Sequence, residues 1–164
     1  MKLESLRDLF VEELQDLYSA EHLLLKALPK MAHEAASPDL RNAINEHLAQ
    51  TRRHIQRLDR IFDQLPHVDR NARKCKGIEG IVKESENLMD KDGDSHVLDA
   101  AMTAGVQKAE HYEIAAYGAV ANYASLLGRN DWAQLLQQTL VEEKQTDAKL
   151  TQIGRRANLE LRAA

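Results

Sequence analysis

The sequence predicts an all-α protein, a bundle of four long helices with a fifth, short helix in the connection between the second and the third. Its composition supports helices, because aromatic residues make up only 4% of the chain whereas Leu, Ala, Gln and Glu are abundant. Four long segments also repeat apolar residues at three- and four-residue steps, which is the period of an amphipathic helix. The connections within the first and the last helix pair are short, and the connection between the pairs is long.

The first long helix is predicted at about residues 4–36, with a buried stripe made mainly of leucines. The stripe consists of Leu3, Leu6, Phe10, Leu14, Leu17, Leu24, Leu25 and Leu28. Pro29 falls inside this pattern and should kink or shorten the helix, because proline lacks an amide N–H and its ring clashes with the preceding turn. Ser37 is then a candidate N-cap, and Pro38 a candidate first residue, for the next helix.

The second long helix is predicted at about residues 38–64. Its apolar stripe consists of Leu40, Ile44, Leu48, Ile55, Leu58 and Phe62. His47 and His54 lie along one flank of that stripe, and Gln50 lies further round the helix. The long connection that follows is first polar and basic, and then contains a short apolar pattern that predicts a helix at about residues 78–89.

The third and fourth long helices are predicted at about residues 94–127 and 131–158. Gly128 is a candidate C-terminal cap for the third helix, since glycine readily adopts the left-handed conformation found at that position. The stripe of the fourth helix consists of Trp132, Leu136, Leu140, Leu150 and Ile153. The tail at residues 159–164 is expected to fray.

This order of helices predicts a single domain over residues 1–164 with a specific connectivity. Helices joined by short loops form antiparallel hairpins. A long crossover between two such hairpins is the arrangement of ferritin-like four-helix bundles. The sequence therefore predicts a ferritin-like bundle whose crossover contains the short fifth helix.

Charge and composition exclude several classes of protein. The net charge is −4 with acidic and basic residues interspersed, so no basic surface for nucleic acid is expected. No apolar run approaches the roughly 20 residues that a membrane helix needs, and the N-terminus has no signal-peptide pattern. Cys75 is the single cysteine, which rules out an internal disulfide framework and favours a reducing, cytoplasmic location.

The third long helix carries a carboxylate in the middle of its apolar face. Glu113 follows Val106 by seven residues and precedes Ala116 by three, so it lies on the same buried face. An ionised carboxylate is not left unpaired in a dry interior, because the desolvation cost is too high. Glu113 therefore needs a partner, which can be a cation, a proton or a metal ion.

Two other helices repeat this pattern. Glu21 lies on the leucine stripe of the first helix, and Glu143 and Asp147 lie on the apolar face of the fourth. Glu110 lies at the edge of the face that carries Glu113. Acids from three helices that meet in one layer would repel one another and destabilise the fold unless cations lie between them.

A divalent metal fits this layer better than a buried Lys or Arg, because few basic residues fall on the predicted core stripes. Carboxylates with one or two imidazoles suit iron or manganese. Bundles that hold two metals do so with Glu and His side chains from facing helices. The predicted ligands are Glu21, His47, Gln50, Glu110, Glu113, Glu143 and Asp147. His54 and Tyr117 are candidates for positions just outside the ligands.

Several stretches of the chain resemble the YciE/YciF family of ferritin-like bacterial stress proteins. They are Leu14–Glu21, Lys26–Met31, His47–Thr51, Gln107–Ala115 and Glu142–Asp147. The resemblance covers nearly the whole chain and implies a fold similar to that of rubrerythrins, a homodimer and a di-metal site. It matches the following residues to the family's ligand positions: Glu21, His47, Glu110, Glu113 and Glu143. Gln50 departs from the family, which often has Glu there, and a neutral amide is a weaker ligand.

Together these observations predict a cytoplasmic stress protein with a buried di-iron or di-manganese carboxylate site and redox chemistry towards oxygen or peroxide. One metal is assigned to Glu21 and His47, with Gln50 as a weak ligand, and the other to Glu113 and Glu143, with Glu110 and Asp147 as alternates. The alternative hypothesis is a structural or interaction bundle that has lost a working metal centre, which the neutral Gln50 favours. A third hypothesis, iron storage in a cage, has no support in the sequence of a single chain.

Overall fold

Five α-helices follow one another along residues 3–163, which are the residues that this computed structural model describes, with side chains as far as residue 158. The helices are α1 (Leu6–Glu34), α2 (Pro38–Phe62), α3 (Lys76–Met89), α4 (Ser95–Leu126) and α5 (Asn130–Ala163). No β-strand occurs within this range, and the predicted all-α class is confirmed. The predicted domain limits at residues 1 and 164 lie outside the described residues.

The predicted caps lie at the helix ends that they were expected to define. The Ser37 hydroxyl accepts a hydrogen bond from the Leu40 N–H (3.4 Å) and begins α2. Gly128 follows α4 with φ 74°, the left-handed conformation that glycine adopts without a steric penalty. The Arg129 N–H then donates to the Ala124 carbonyl (2.9 Å), as in a Schellman motif, so the chain reverses directly into α5.

Three predicted helix ends differ from the structure. The first helix ends at Glu34 rather than at residue 36, and it continues through Pro29, because the buried Leu28 and Met31 on either side keep the last turns packed in the core. The short helix begins at Lys76 rather than at residue 78, since Cys75 serves as its N-cap. The last helix continues past residue 158 instead of ending there. None of the described helices is both long and apolar enough to cross a membrane.

Each of the four long helices runs antiparallel to the long helices beside it. Near the end of α1 and the start of α4, the Asp99 carboxylate accepts hydrogen bonds from the Ala36 and Ser37 N–H groups (2.9 and 2.6 Å). At the far end of the bundle, the Trp132 indole on α5 donates to Gln64, just after α2 (3.2 Å). The loop and α3 between α2 and α4 therefore cross the full length of the bundle, which is the connectivity predicted from the sequence.

Two apolar clusters fill the two ends of the bundle. One contains Phe10 stacked on Trp132, with ring centroids 5.5 Å apart, and the other contains Ile78 of α3 with Leu28 and Met102. Along every long helix, the buried residues belong to one cluster on one side of the bundle's middle and to the other cluster on the other side. On α4, for example, the change falls between residues 109 and 117. This intervening layer is where the buried charged residues lie.

Candidate metal centre

Six ionisable side chains from all four long helices meet in the layer between the two apolar clusters. They are Glu21 of α1, His47 and His54 of α2, Glu110 and Glu113 of α4, and Glu143 of α5. Each is almost completely withdrawn from solvent, with at most 1% of its surface exposed. The helix periodicity that places apolar neighbours in the core also places these groups there, because they occupy the same faces.

One group of potential ligands consists of His47, Glu110, Glu113 and Glu143, each with a donor atom within 4.8 Å of the others. The His47 Nε2 lies 3.0 Å from Glu110 Oε1, and its Nδ1 lies 3.8 Å from Glu143 Oε2. Neither nitrogen is aligned for a hydrogen bond. Burial lowers the pKa of His47, which favours the neutral ring that can donate a lone pair to a metal.

A second group consists of Glu21, His54 and Glu143. The His54 Nδ1 lies 3.2 Å from Glu21 Oε1 and 2.9 Å from Glu143 Oε1. Glu143 belongs to both groups and directs one oxygen towards each histidine. The two groups of potential ligands therefore meet at a single carboxylate.

Two further contacts fix the orientation of this second group. The Tyr117 hydroxyl donates to Glu21 Oε1 (2.5 Å), and burial raises the pKa of Tyr117 so that the hydroxyl keeps its proton. The His54 Nε2 lies 2.8 Å from Glu142, whose carboxylate also receives two hydrogen bonds from Arg57 (2.7 and 3.0 Å). A histidine whose second nitrogen is held by a carboxylate is the usual arrangement around protein-bound metals.

The carboxylate oxygens of this layer receive few hydrogen bonds from the protein. Seven of the eight oxygens of Glu21, Glu110, Glu113 and Glu143 are buried without a hydrogen-bond partner in the described part of the chain. Buried polar atoms are hydrogen-bonded in the great majority of cases, so such a concentration needs an explanation. Oxygen and imidazole donors that converge without mutual hydrogen bonds are what a divalent cation requires, and the residues present therefore fit a metal.

Burial and mutual repulsion govern the protonation of the acids. Burial is the main cause that raises the pKa of Glu21, and it raises the pKa values of Glu110 and Glu113 well above their usual value. The charge of Glu143 adds to the effect at Glu110, and the charge of Glu21 adds to it at Glu113. With protein groups alone, these acids therefore hold protons that a metal would displace.

Glu143 and His54 behave as an ion pair. Burial acts against the charged form of Glu143, but the contact with protonated His54 opposes it most strongly, and the Glu143 pKa is lowered to about 2. Burial likewise acts against protonated His54, but Glu21 and Glu143 outweigh it and raise the His54 pKa to about 11. The two groups stabilise each other's charge in the interior.

The structure brings together most of the predicted ligands but groups them differently. His47 lies with Glu110 and Glu113 rather than with Glu21. His54, which the sequence placed just outside the ligands, is the imidazole that lies beside Glu21. Sequence reasoning could not assign these partners, because helix periodicity specifies a face but not which neighbouring helix that face meets.

Two predicted ligands lie outside both groups. Asp147 is half-buried, accepts a hydrogen bond from Gln107 (3.0 Å) and has His111 3.5 Å away, so it faces the edge of the α4–α5 contact. Gln50 accepts a hydrogen bond from Thr146 (2.9 Å) between α2 and α5.

Sequence reasoning missed the support that Arg57 and Glu142 give to His54. The only available signal was that Arg57 follows His54 by three residues and so lies on the same side of α2. Glu142 by itself resembles any solvent-exposed acid, and its role depends on the contact between α2 and α5.

Comparison with known proteins agrees with this fold. The family described as "Domain of unknown function (DUF892)" matches residues 5–161 of the chain. The chain belongs to the DUF892 family. Protein YciF of Escherichia coli strain K12 is 39% identical to it over 154 residues, which are 94% of this chain and 93% of YciF.

Solved structures extend the comparison. The crystal structure of the E. coli stress protein YciF superposes on this DUF892 chain with a TM-score of 0.90 at 38% identity, covering 94% of this chain and 97% of YciF. YcfI from Rhodopseudomonas palustris superposes with a TM-score of 0.87 at 38% identity, covering 92% and 95%. A Xanthomonas campestris protein with 20% identity and a TM-score of 0.72, covering 94% of each chain, shows the fold alone.

Proposed function

We propose that this DUF892 protein is a bacterial stress protein that binds two iron or manganese ions in the buried layer and uses them in redox chemistry with oxygen or peroxide. The observation that carries the proposal is the set of seven buried carboxylate oxygens without hydrogen-bond partners beside two imidazoles. Hard oxygen ligands with a minority of imidazoles match the preferences of these metals. The relationship to YciF, which is described as a stress protein, supports the biological setting.

The ligand set divides between two positions. Glu21 and His54 would hold one ion, the group of His47, Glu110 and Glu113 would hold the other, and Glu143 would bridge them. Such ions, when bound, supply one-electron changes of oxidation state. The order of the ligands differs from the assignment made from sequence, and it leaves Asp147 free to serve as a control position.

The protein side chains around the ligands have separate tasks. The Tyr117 hydroxyl donates a short hydrogen bond to Glu21 and so orients the Glu21 carboxylate. Glu142, which is held in place by Arg57, accepts the His54 Nε2–H, so that Nδ1 is the nitrogen whose proton a bound metal would replace. The two apolar clusters exclude bulk water from the layer, which strengthens every electrostatic interaction inside it.

Metal analysis after anaerobic loading tests the proposal. The wild-type protein is expected to retain two equivalents of iron or manganese, and Glu143→Gln is expected to lose both because it removes the shared carboxylate. Asp147→Asn is the matched control, since it removes an acid of the same bundle outside both groups, and it should retain wild-type metal content. Wild-type protein that retains no more metal than Glu143→Gln would contradict the proposal.

Redox activity is tested separately with iron-loaded protein. Hydrogen peroxide or oxygen is expected to oxidise the bound iron faster than the same concentration of iron in buffer. Equal rates would leave the protein as a metal binder without the proposed chemistry.

We also propose that the protein is a homodimer, because of the family resemblance, and that it is cytoplasmic, because its single cysteine is free. Sedimentation equilibrium tests the dimer.

A structural bundle without a working metal is the second candidate, favoured by two observations. The pKa values of Glu21, Glu110 and Glu113 are raised, so protonation can relieve their repulsion without a metal. The similar YcfI has been named as a candidate structural protein. Under this alternative, Glu113→Gln has the same effect on stability with and without added metal, whereas a metal protein loses a metal-dependent gain.

A further inference from the structure

A buried metal centre needs a route from solvent, and one surface cleft is lined by Gln50 and Thr146, which lie three residues beyond the candidate ligands His47 and Glu143 on their helices. The cleft has a volume of about 110 Å³ and lies between α2 and α5. It is lined by Ala43, Glu46, Gln50, Gln145, Thr146 and Lys149. Its position matters because α2 carries both histidines and α5 carries the carboxylate that both ligand groups share.

The floor of the cleft is a single hydrogen bond between two neutral side chains. The Thr146 hydroxyl donates to the Gln50 amide oxygen (2.9 Å), and both residues keep a small exposed fraction of 6% and 8%. Gln50 lies three residues, about one turn, beyond the buried His47 on α2. The Gln50–Thr146 pair therefore separates solvent from His47 without placing a charge in the way.

The mouth of the cleft carries a pair of opposite charges. Lys149 of α5 donates a hydrogen bond to the Glu46 carboxylate of α2, and both side chains are exposed. A carboxylate at the mouth attracts a cation, and an ammonium beside it competes for that carboxylate. Both effects act through solvent and are reduced by salt.

The larger groove on the same pair of helices is unsuited to a cation. It has a volume of about 550 Å³ and is lined in part by Arg57 and Glu142. The Arg57 guanidinium is fixed on Glu142 by two hydrogen bonds, and Glu142 also contacts His54. The carboxylate there is already saturated, and an incoming cation would meet a permanent positive charge.

We infer that the cleft between α2 and α5 is the uptake route for divalent cations, with Glu46 attracting the ion and the Gln50–Thr146 hydrogen bond acting as the gate. The inference rests on the proposed metal centre. It assigns to Gln50, which the sequence suggested as a ligand, a place on the path that leads to the ligands. The amide oxygen of Gln50 can contact a passing ion after the Thr146 hydroxyl moves away.

Stopped-flow uptake of Co²⁺ tests the route, with the visible absorption of bound Co²⁺ as the signal and Glu143→Gln as the blank for adventitious binding. Glu46→Gln should slow uptake and Lys149→Met should accelerate it, each by about three- to tenfold at low salt, because a divalent ion passes within a few ångströms of a unit charge. Thr146→Val should accelerate uptake about fivefold, since it removes one neutral hydrogen bond from the gate. All three variants should reach the wild-type amount of bound Co²⁺.

The exposed Lys108–Glu84 pair between α4 and α3 provides matched controls. Lys108→Met and Glu84→Gln make the same charge changes away from the cleft and should leave the uptake rate unchanged. High salt should abolish the effects of the Glu46 and Lys149 variants but preserve that of Thr146→Val.

The outcomes separate the two proposals. Wild-type protein that binds no more Co²⁺ than the blank would contradict the metal centre itself. Wild-type protein that binds Co²⁺, with the cleft variants matching the Lys108 and Glu84 controls in rate, would overturn the route while leaving the centre in place. Opposite effects of Glu46→Gln and Lys149→Met, with unchanged final binding, would support the route.

Discussion

The same substitution at two neighbouring carboxylates should have very different effects on stability in chelator. Glu143→Gln breaks a buried ion pair, whereas Glu113→Gln replaces an acid that forms no ion pair or hydrogen bond in the described residues. Burial raises the pKa of Glu113 well above its usual value, so the metal-free protein holds it as a neutral acid. Glutamine has nearly the same shape as that neutral acid.

The size of the stability loss expected for Glu143→Gln follows from the contact of Glu143 with His54. The His54 Nδ1 to Glu143 Oε1 distance of 2.9 Å corresponds to about 6 kcal/mol of attraction at an effective dielectric constant of about 20. His54 keeps Glu21 at 3.2 Å and Glu142 at 2.8 Å, so part of this attraction remains. We expect a net loss of about 3 kcal/mol, near the lower end of what breaking a buried pair costs.

Urea unfolding followed by circular dichroism measures both variants. In chelator, Glu143→Gln should lower the free energy of unfolding by about 3 kcal/mol, equivalent to a Tm lower by about 6–12 °C. Glu113→Gln should change it by less than about 1 kcal/mol in either direction. With Mn²⁺ at about 100 times its Kd, wild-type protein should gain about 2.7 kcal/mol, and neither variant should show that gain.

Two results would refute this reasoning, each at a different step. Equal losses for the two variants in chelator would show that the Glu143–His54 pair does not stabilise the fold as argued. A full Mn²⁺-dependent gain in both variants would show that neither carboxylate is a ligand. Asp147→Asn serves as the control, because it should keep the Mn²⁺-dependent gain.

Two further predictions concern pH and helix packing. The metal-free protein should lose stability between pH 7 and pH 9, because folded His54, with its pKa raised to about 11, keeps a proton that the unfolded chain releases near pH 6.5. This contribution is complete below about pH 6.5 and falls by at most about 1.4 kcal/mol per pH unit above it. In urea titrations His54→Gln should remove this part of the loss, whereas the part caused by the raised pKa values of Glu110 and Glu113 should remain. Gly118→Ala in α4 should raise the free energy of unfolding by about 0.5–1 kcal/mol, because a Cβ there meets nothing within 4 Å. Gly105→Ala in the same helix should lower the free energy of unfolding by about 1 kcal/mol, because the added Cβ would lie 2.3 Å from Ser85 Oγ and 3.1 Å from Ser85 Cβ. Thermal melts compare the two variants, and equal effects would contradict this close contact between α4 and α3.

The helices and their caps could be predicted from the sequence because their signals are local. Apolar residues at helical spacing, Ser37 before Pro38 and Gly128 after α4 all act within a few residues of themselves. Pro29 was the exception. Its local effect opposed the helix, but burial of the residues around it in the core prevailed over that preference.

The candidate site could be predicted only in part, for a physical reason. Periodicity identified Glu21, Glu113 and Glu143 as acids on buried faces, and the structure places them in one layer. Which imidazole meets which acid depends on helix order and rotation, and no residue reports these locally. The place of His54 beside Glu21 therefore became visible only with the packed bundle.

Anomalous diffraction at the iron and manganese absorption edges, from crystals of anaerobically loaded protein, tests the central claim most directly. We expect two peaks, one within bonding distance of His54 Nδ1 and Glu21 and the other within bonding distance of His47, with Glu143 between them. Loaded crystals with no anomalous peak in this layer, or with peaks confined to surface carboxylates, would contradict it.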